Sequence, residues 1–207
     1  MTTRWLVTGA HGLLGARVVA ELVLLRPDDE VTAVDRAQMD LLDEAAIRAV
    51  VPGHDVVVSC AGWTDVDGAE DAPSPRSMAM RVNADGVGRL AVACRFAGAR
   101  LLHVSTDYVF DGAARMPYVE DAQAHPLSGY GVSKLAGEWS VLAEGGCVVR
   151  TAWLHDGAHG RSFVATMAAR ARAGEPARVV HDQVGQPTWV RPLARRLIGR
   201  ASCRERV

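Results

Sequence analysis

Tyr130 and Lys134, in the stretch "YGVSKLAGEW", stand four residues apart. On a helix that spacing stacks the two side chains on one face. A lone tyrosine, with a pKa near 10, is a poor proton carrier at neutral pH. An adjacent ammonium favours its phenolate, and each tenfold gain in that form corresponds to about 1.4 kcal/mol. Upstream, "HVSTDYVFDG" sets Ser105, Thr106, Asp107 and Tyr108 directly after the apolar run "RLLHV". A strand that only filled a core would not end in this way. Hydroxyls, a carboxylate, a phenol and an ammonium together suit acid–base chemistry above the end of that strand. Thr106 is the better positioned hydroxyl, since Ser105 points to the opposite face of a strand.

A third element points to what these groups work with. "TGAHGLLGARVV" places Gly9, Gly12 and Gly15 between an apolar strand and a helix, in the order G-x-x-G-x-x-G. Glycines there permit a tight turn and let backbone N–H groups and the helix N-terminus approach a pyrophosphate. His11, Leu13 and Leu14 belong to the same cofactor loop. Asp35 lies 20 residues beyond Gly15, at the end of the next apolar run, where a carboxylate meets the adenosine ribose hydroxyls. Arg36 follows it and suits a 2′-phosphate instead, so the pattern indicates a nicotinamide dinucleotide, NADPH or NADH, without choosing between them. Asp40 and Leu41 are assigned to the adenine, and Ala61 and Gly62 to a bare backbone wall.

Parallel strands alternating with helices would position these residues. "RWLVTG", "EVTAVD", "HDVVVSCAG", "ARLLHVS" and "CVVRTA" read as strands, with "ARVV" as a short sixth. Helices are expected over 13–26, 43–50, 75–97, 127–143 and 161–173. The uninterrupted valines of the third run suit a strand buried on both faces. The alternation predicts an α/β fold of Rossmann type, a doubly wound parallel sheet with helices on both faces and ligands at the strands' carboxyl ends.

Composition fits an ordinary globular protein. The 207 residues are 49% hydrophobic and 23% charged with a net charge of −1, so there is no basic field to attract nucleic acid. No apolar run reaches the length of about 20 residues that crosses a bilayer. We expect no membrane association and a cytoplasmic location. Cys60, Cys94, Cys147 and Cys203 form no CxxC pair and are expected as reduced thiols. His155 and His159 have metal-pair spacing, but the two glycines of "HDGAHG" argue against a helix and a metal site there.

Taken together, the glycine pattern, the hydroxyl closing the fourth strand and the Tyr–Lys helix resemble the extended short-chain dehydrogenase/reductase family. "HVSTDYVFDG", "YGVSKLAGE", "VVRTAW", "HDQVGQPT", "AGWTDVDGAE" and "VNADGVGRLAVAC" are similar to its dTDP-4-dehydrorhamnose reductase branch. The resemblance implies Thr106, Tyr130 and Lys134 as the catalytic set. Tyr130 would protonate the C4 oxygen of a dTDP-keto-sugar as the reduced nicotinamide delivers hydride to C4. Lys134 would bind the nicotinamide ribose and lower the Tyr130 pKa, and Thr106 would hold the carbonyl. Asp107, Tyr108, Tyr130 and Trp153 would line the sugar site, and Asn83 would brace the catalytic helix. Trp63 and Asp65 are bulkier or more charged than the pattern expects, which keeps a 4-ketoreductase for another deoxysugar open. A non-catalytic dinucleotide-binding regulatory subunit is the reading from a different class.

The resemblance also sets expectations for organisation: a dinucleotide-binding domain over 1–150 and part of a sugar-nucleotide region over 151–197, with the substrate domain incomplete. Family members often pair as homodimers and use Mg2+ at the pairing surface, but the residues present here do not supply that site. The tail "IGRASCRERV" back-translates to ATCGGAAGAGCGTCGTGTAGGGAAAGAGTG, which matches a short-read sequencing adapter, so residues 198–207 are expected to be non-native and without helical amphipathicity. Nucleotide binding is expected to survive in such a chain better than turnover.

Overall fold

The computed structural model describes residues 2–70, 77–157 and 162–202. Five strands, β1 (Arg4–Thr8), β2 (Glu30–Val34), β3 (Val56–Ser59), β4 (Arg100–Thr106) and β5 (Cys147–Thr151), form one sheet in the order β2-β1-β3-β4-β5. All four pairings are parallel. The chain runs from β1 outward to β2, then back across β1 to β3. The switch point, where ligands dock in such sheets, therefore lies at the carboxyl ends of β1 and β3.

Period-two alternation divides the strand side chains between two cores. Leu6, Val57 and Leu101 face α2 (Glu44–Val50), α5 (Val87–Ala97) and α6 (Gly129–Ala143). Trp5, Val7, Val56, Val58 and Leu102 face α1 (Leu13–Leu25) and α8 (Val190–Ser202). Side-chain oxygens cap the helices: Asp43 accepts from Ala45 and Ala46 N–H, and Ser128 accepts from Gly131 N–H. A short helix, α3 (Val66–Glu70), follows β3. Preceding α5, α4 (Met78–Met80) leads into a π-helical segment, Arg81–Gly86. Beyond β5 come β6 (Leu154–His155), α7 (Phe163–Ala173) and β7 (Thr188–Trp189), with β6 and β7 paired in parallel.

Three expectations change. "ARVV" (177–180) is not a strand: it pairs with none of the described strands, and Val179 and Val180 are exposed. The helix expected from Pro75 begins at Met78 with Ser77 as its cap, and residues 71–76 lie outside the described residues, as does His159. α8, not among the expected elements, runs through Ile198 to Ser202. Val190, Ala194, Leu197, Ile198 and Ala201 form a buried helical stripe on the second core, so amphipathicity persists past Leu197. The remainder of the tail, Cys203 included, lies outside the described residues. Cys60 and Cys94 are free thiols that burial pushes up to about 12.

Two features fix the helices on the sheet. Glu21 of α1, 2% exposed, accepts from Arg191 (3.0 Å) and Arg195 (2.7 Å) of α8. On the other face, a Cβ at Gly137 of α6 would collide with the Asn83 carbonyl of the π segment. Gly137→Ala is therefore expected to cost about 1–3 kcal/mol, measured by denaturant unfolding. The arginines hold the Glu21 carboxyl below its ordinary value, Arg195 contributing most. A depressed folded-state pKa gives stability above the unfolded pKa that is lost as pH falls. Glu21→Gln should lower the melting temperature at pH 7 and flatten its further fall on acidification.

Candidate active site

At the switch point the backbone makes close approaches that only glycines permit. Gly9 has φ +64°, and a Cβ there would stand 2.8 Å from Ala61 N. Gly12 N–H donates to Gly9 O (2.9 Å), and a Cβ on Gly15 would collide with the same carbonyl. Gly12 caps α1 without a side-chain acceptor, so the helix's first amides, at Leu13 and Leu14, remain free to meet an anionic group. A tight glycine turn, an uncapped helix start and a carboxylate on the next strand end fit a dinucleotide.

That carboxylate is already engaged. Asp35 Oδ1 accepts from Ala37 N (2.8 Å) and Gln38 N (3.3 Å), and Oδ2 pairs with Nδ1 of the exposed His11 (3.0 Å). Arg36 binds Asp40 (3.0 Å) rather than standing free for a phosphate. The Asp40 carboxyl is held down first by Leu42 N–H and then by Arg36. Leu41 turns its side chain into the core, where it blocks any Cβ at Gly86.

Thr106 closes β4 and caps the 3-10 turn Asp107–Val109. Its Oγ accepts from Tyr108 N (3.2 Å) and donates to Asp107 Oδ1 (3.1 Å). Tyr130, at the start of α6, lies beside Thr106 and meets Tyr108 edge to face, with centroids 5.6 Å apart at 80°. Burial pushes the Tyr130 phenol above its ordinary value; the Thr106 hydroxyl opposes this, and the Asp107 charge reinforces it. Burial likewise pushes the Asp107 carboxyl up, against the Thr106 hydrogen bond.

Lys134, one turn beyond Tyr130 and 5% exposed, donates to Val104 O (2.8 Å) and contacts His103 Nε2 (3.1 Å). Burial lowers it to about 8, against the charge of Glu138. At the phenol burial dominates, and Lys134 does not figure among the influences on it. A Cβ on Gly62 would stand 3.9 Å from Lys134 Nζ, so the ammonium sits against the glycine wall of the crevice.

Asn83, fully buried, ties the set together. It accepts from Trp63 N (2.8 Å) and donates to Trp63 O (3.1 Å) and Ser133 Oγ (3.0 Å), while Ser133 donates to Tyr130 O (2.7 Å). The bracing expected of Asn83 thus runs through a serine side chain. Asp65 accepts from Gly68 N (3.0 Å) at the start of α3, a local use of the charge that stood out in the sequence. Trp153 is the one non-glycine residue with positive φ (44°) among those described, and its ring packs on Gly185, where a Cβ would lie 2.7 Å away. Sequence reasoning missed Ser59, His103 and Ser133. A histidine inside an apolar strand run was the available signal for His103. Among the described residues no cluster of three or more His, Cys, Asp or Glu could hold a metal ion, and no helix is long and apolar enough to cross a membrane.

Comparison with known proteins places this geometry. A family model, the RmlD substrate binding domain, matches residues 3–205. A dTDP-4-keto-6-deoxy-D-glucose reductase of Streptomyces niveus is 46% identical, covering 96% of this chain and 68% of its own length. A dTDP-4-dehydrorhamnose reductase of Streptomyces griseus is 48% identical over 94% of this chain and 64% of its own. The chain thus spans about two thirds of the curated relatives it matches. The crystal structure of dTDP-4-dehydrorhamnose reductase from Bacillus anthracis in complex with NADP superimposes with a TM-score of 0.90 at 34% identity, over 98% of this chain and 72% of that one. A family match over nearly the whole chain, joined to a fold of this closeness, leaves one conclusion: the chain belongs to the RmlD substrate binding domain family.

Proposed function

We propose that this chain carries the cofactor site and catalytic set of an NADPH- or NADH-dependent reductase that converts the 4-keto group of dTDP-4-dehydro-L-rhamnose to the alcohol of dTDP-L-rhamnose. One observation carries the reading: Thr106, Tyr130 and Lys134 gather at the carboxyl end of β4, with Lys134 Nζ against the Gly62 wall of the glycine-lined crevice. The names of the Streptomyces griseus and Bacillus anthracis relatives, and the NADP held by the latter, support it.

Gly9, Gly12 and Gly15 with the first amides of α1 would hold the pyrophosphate, and Asp35 with His11 would meet the adenosine ribose. The reduced nicotinamide supplies hydride for the substrate's C4. Every other step falls to this chain. Lys134 would hold the nicotinamide ribose from the crevice wall. Thr106 and Tyr130 would both hydrogen-bond the C4 oxygen, fixing the carbonyl in line and stabilising the negative charge that develops on it. The Tyr130 phenol, raised further by burial, is protonated at neutral pH, the state a donor to a nascent alkoxide requires. Asp107 and Tyr108, which follow Thr106 directly, and Trp153, just beyond β5, would be the sugar contacts. The name of the Streptomyces niveus relative favours a second substrate of the same class, dTDP-4-keto-6-deoxy-D-glucose.

The assay is the fall of NADPH absorbance on adding each keto-sugar nucleotide to the purified chain. Tyr130→Phe should lower kcat by about 10²- to 10⁴-fold while leaving NADPH affinity intact. An unchanged rate would remove Tyr130 as the donor, and no oxidation of NADPH with either sugar would refute reductase activity of this chain. A lysine lowered to about 8 is an ammonium below that pH and an amine above it. NADPH affinity should therefore be flat through neutral pH and decline as pH rises through about 8, measured by fluorescence titration.

A further inference from the structure

His103 is a titratable side chain at 0% exposure that the proposed chemistry does not use. It lies on the same face of β4 as Leu101, toward α6, and its register partner on β3 is Ser59, also 0% exposed. His103 Nδ1 is 3.1 Å from Ser59 Oγ, and Nε2 is 3.1 Å from Lys134 Nζ. An ammonium has no lone pair to offer, so Nε2 must accept and the imidazole proton must reside on Nδ1, donated to Ser59. A second proton on the ring would place two cations in contact inside the core. Burial, aided by the Lys134 charge, holds His103 well below its ordinary value and keeps it neutral.

The lysine's other neighbours explain why this matters. Glu138, one turn along α6, does not pair with Lys134: Arg150 of β5 takes its carboxylate in a bidentate grip at 3.0 and 2.6 Å. Cys60, beyond β3, stays a thiol because burial pushes it to about 12. The direct acceptors of the ammonium are therefore neutral, the Val104 carbonyl and the His103 ring. Two of its three N–H bonds are fixed on β4 and one remains for a ligand. Glu138 acts on its charge only through space.

We propose that His103 is the positioning residue of Lys134: a neutral imidazole, its tautomer set by Ser59, that aims the lysine's remaining N–H at the nicotinamide ribose. The inference rests on the cofactor site of the proposed function, and its tests do not need the sugar substrate. Long-range proton–nitrogen NMR of the folded chain should show the His103 proton on Nδ1 and a ring that remains neutral where a free histidine is cationic. A proton on Nε2, or a cationic ring, overturns the proposal.

His103→Leu removes the acceptor, and His103→Gln can return one at the Nε2 position. The Leu variant should weaken NADPH binding about tenfold, the scale of one hydrogen bond to a charged group. It should also move the loss of binding to lower pH, since the ammonium loses an acceptor that favours it. The Gln variant should recover most of both effects, even if the two melt at the same temperature. Equal deficits in Leu and Gln, or losses that follow melting temperature alone, would reduce His103 to a packing residue. If the Leu variant does not fold, the NMR measurement on the natural chain decides. Should NADPH bind while no keto-sugar is reduced, the function fails and the binding and NMR arms still judge His103.

Discussion

The site depends on how closely α6 lies against the rest of the molecule. Two of its glycines make that approach possible: a Cβ at Gly131 would collide with the Tyr108 carbonyl, and one at Gly137 with the Asn83 carbonyl. A helix bearing side chains at those points would stand off from β4. Tyr130 would then leave Thr106, and Lys134 would leave the Val104 carbonyl. The Ser133 link to Asn83 belongs to the same contact and joins α6 to the backbone of Trp63. Chemistry in the crevice is thus fixed by two backbone-to-helix approaches, with hydrogen bonds setting the final orientation.

Burial then does two different things to neighbouring groups. At Tyr130 it raises the phenol, which holds the proton that a carbonyl reduction consumes. At Lys134 it lowers the ammonium toward neutrality without neutralising it at physiological pH. Because Glu138 is occupied by Arg150, no carboxylate quenches that charge directly. The opposite face of the sheet has no such tension: α1 and α8 pack on apolar side chains, and the one buried carboxylate there, Glu21, is met by two arginines.

Much of this was readable in the sequence, and the reason is locality. Strand runs such as "VVVS", the glycine turn before α1 and the i, i+4 pair on α6 are patterns within a few residues, each with its own physical cause. Features that depend on a distant partner were not readable. "ARVV" has strand composition but pairs with no described strand, and α8 is defined by a stripe meeting α1 across 170 residues of chain. Asp35 appeared free for a ribose until His11 folded over it, and Arg36 proved to be held by Asp40. His103 looked like an oddity in an apolar run. Only the pairing of β3 with β4, and the seating of α6 above them, bring Ser59 and Lys134 to its two nitrogens.

The central claim is that the phenol, the ammonium and the threonine hydroxyl converge where the dinucleotide presents its reactive carbon. A crystal structure of the 207-residue chain with NADP+ bound tests it most directly. The account predicts Lys134 Nζ in hydrogen-bond contact with the nicotinamide ribose, and the Tyr130 hydroxyl facing the nicotinamide C4 across the space left for a ketone. A nicotinamide seated away from α6, with Lys134 still turned wholly into β4, would contradict it.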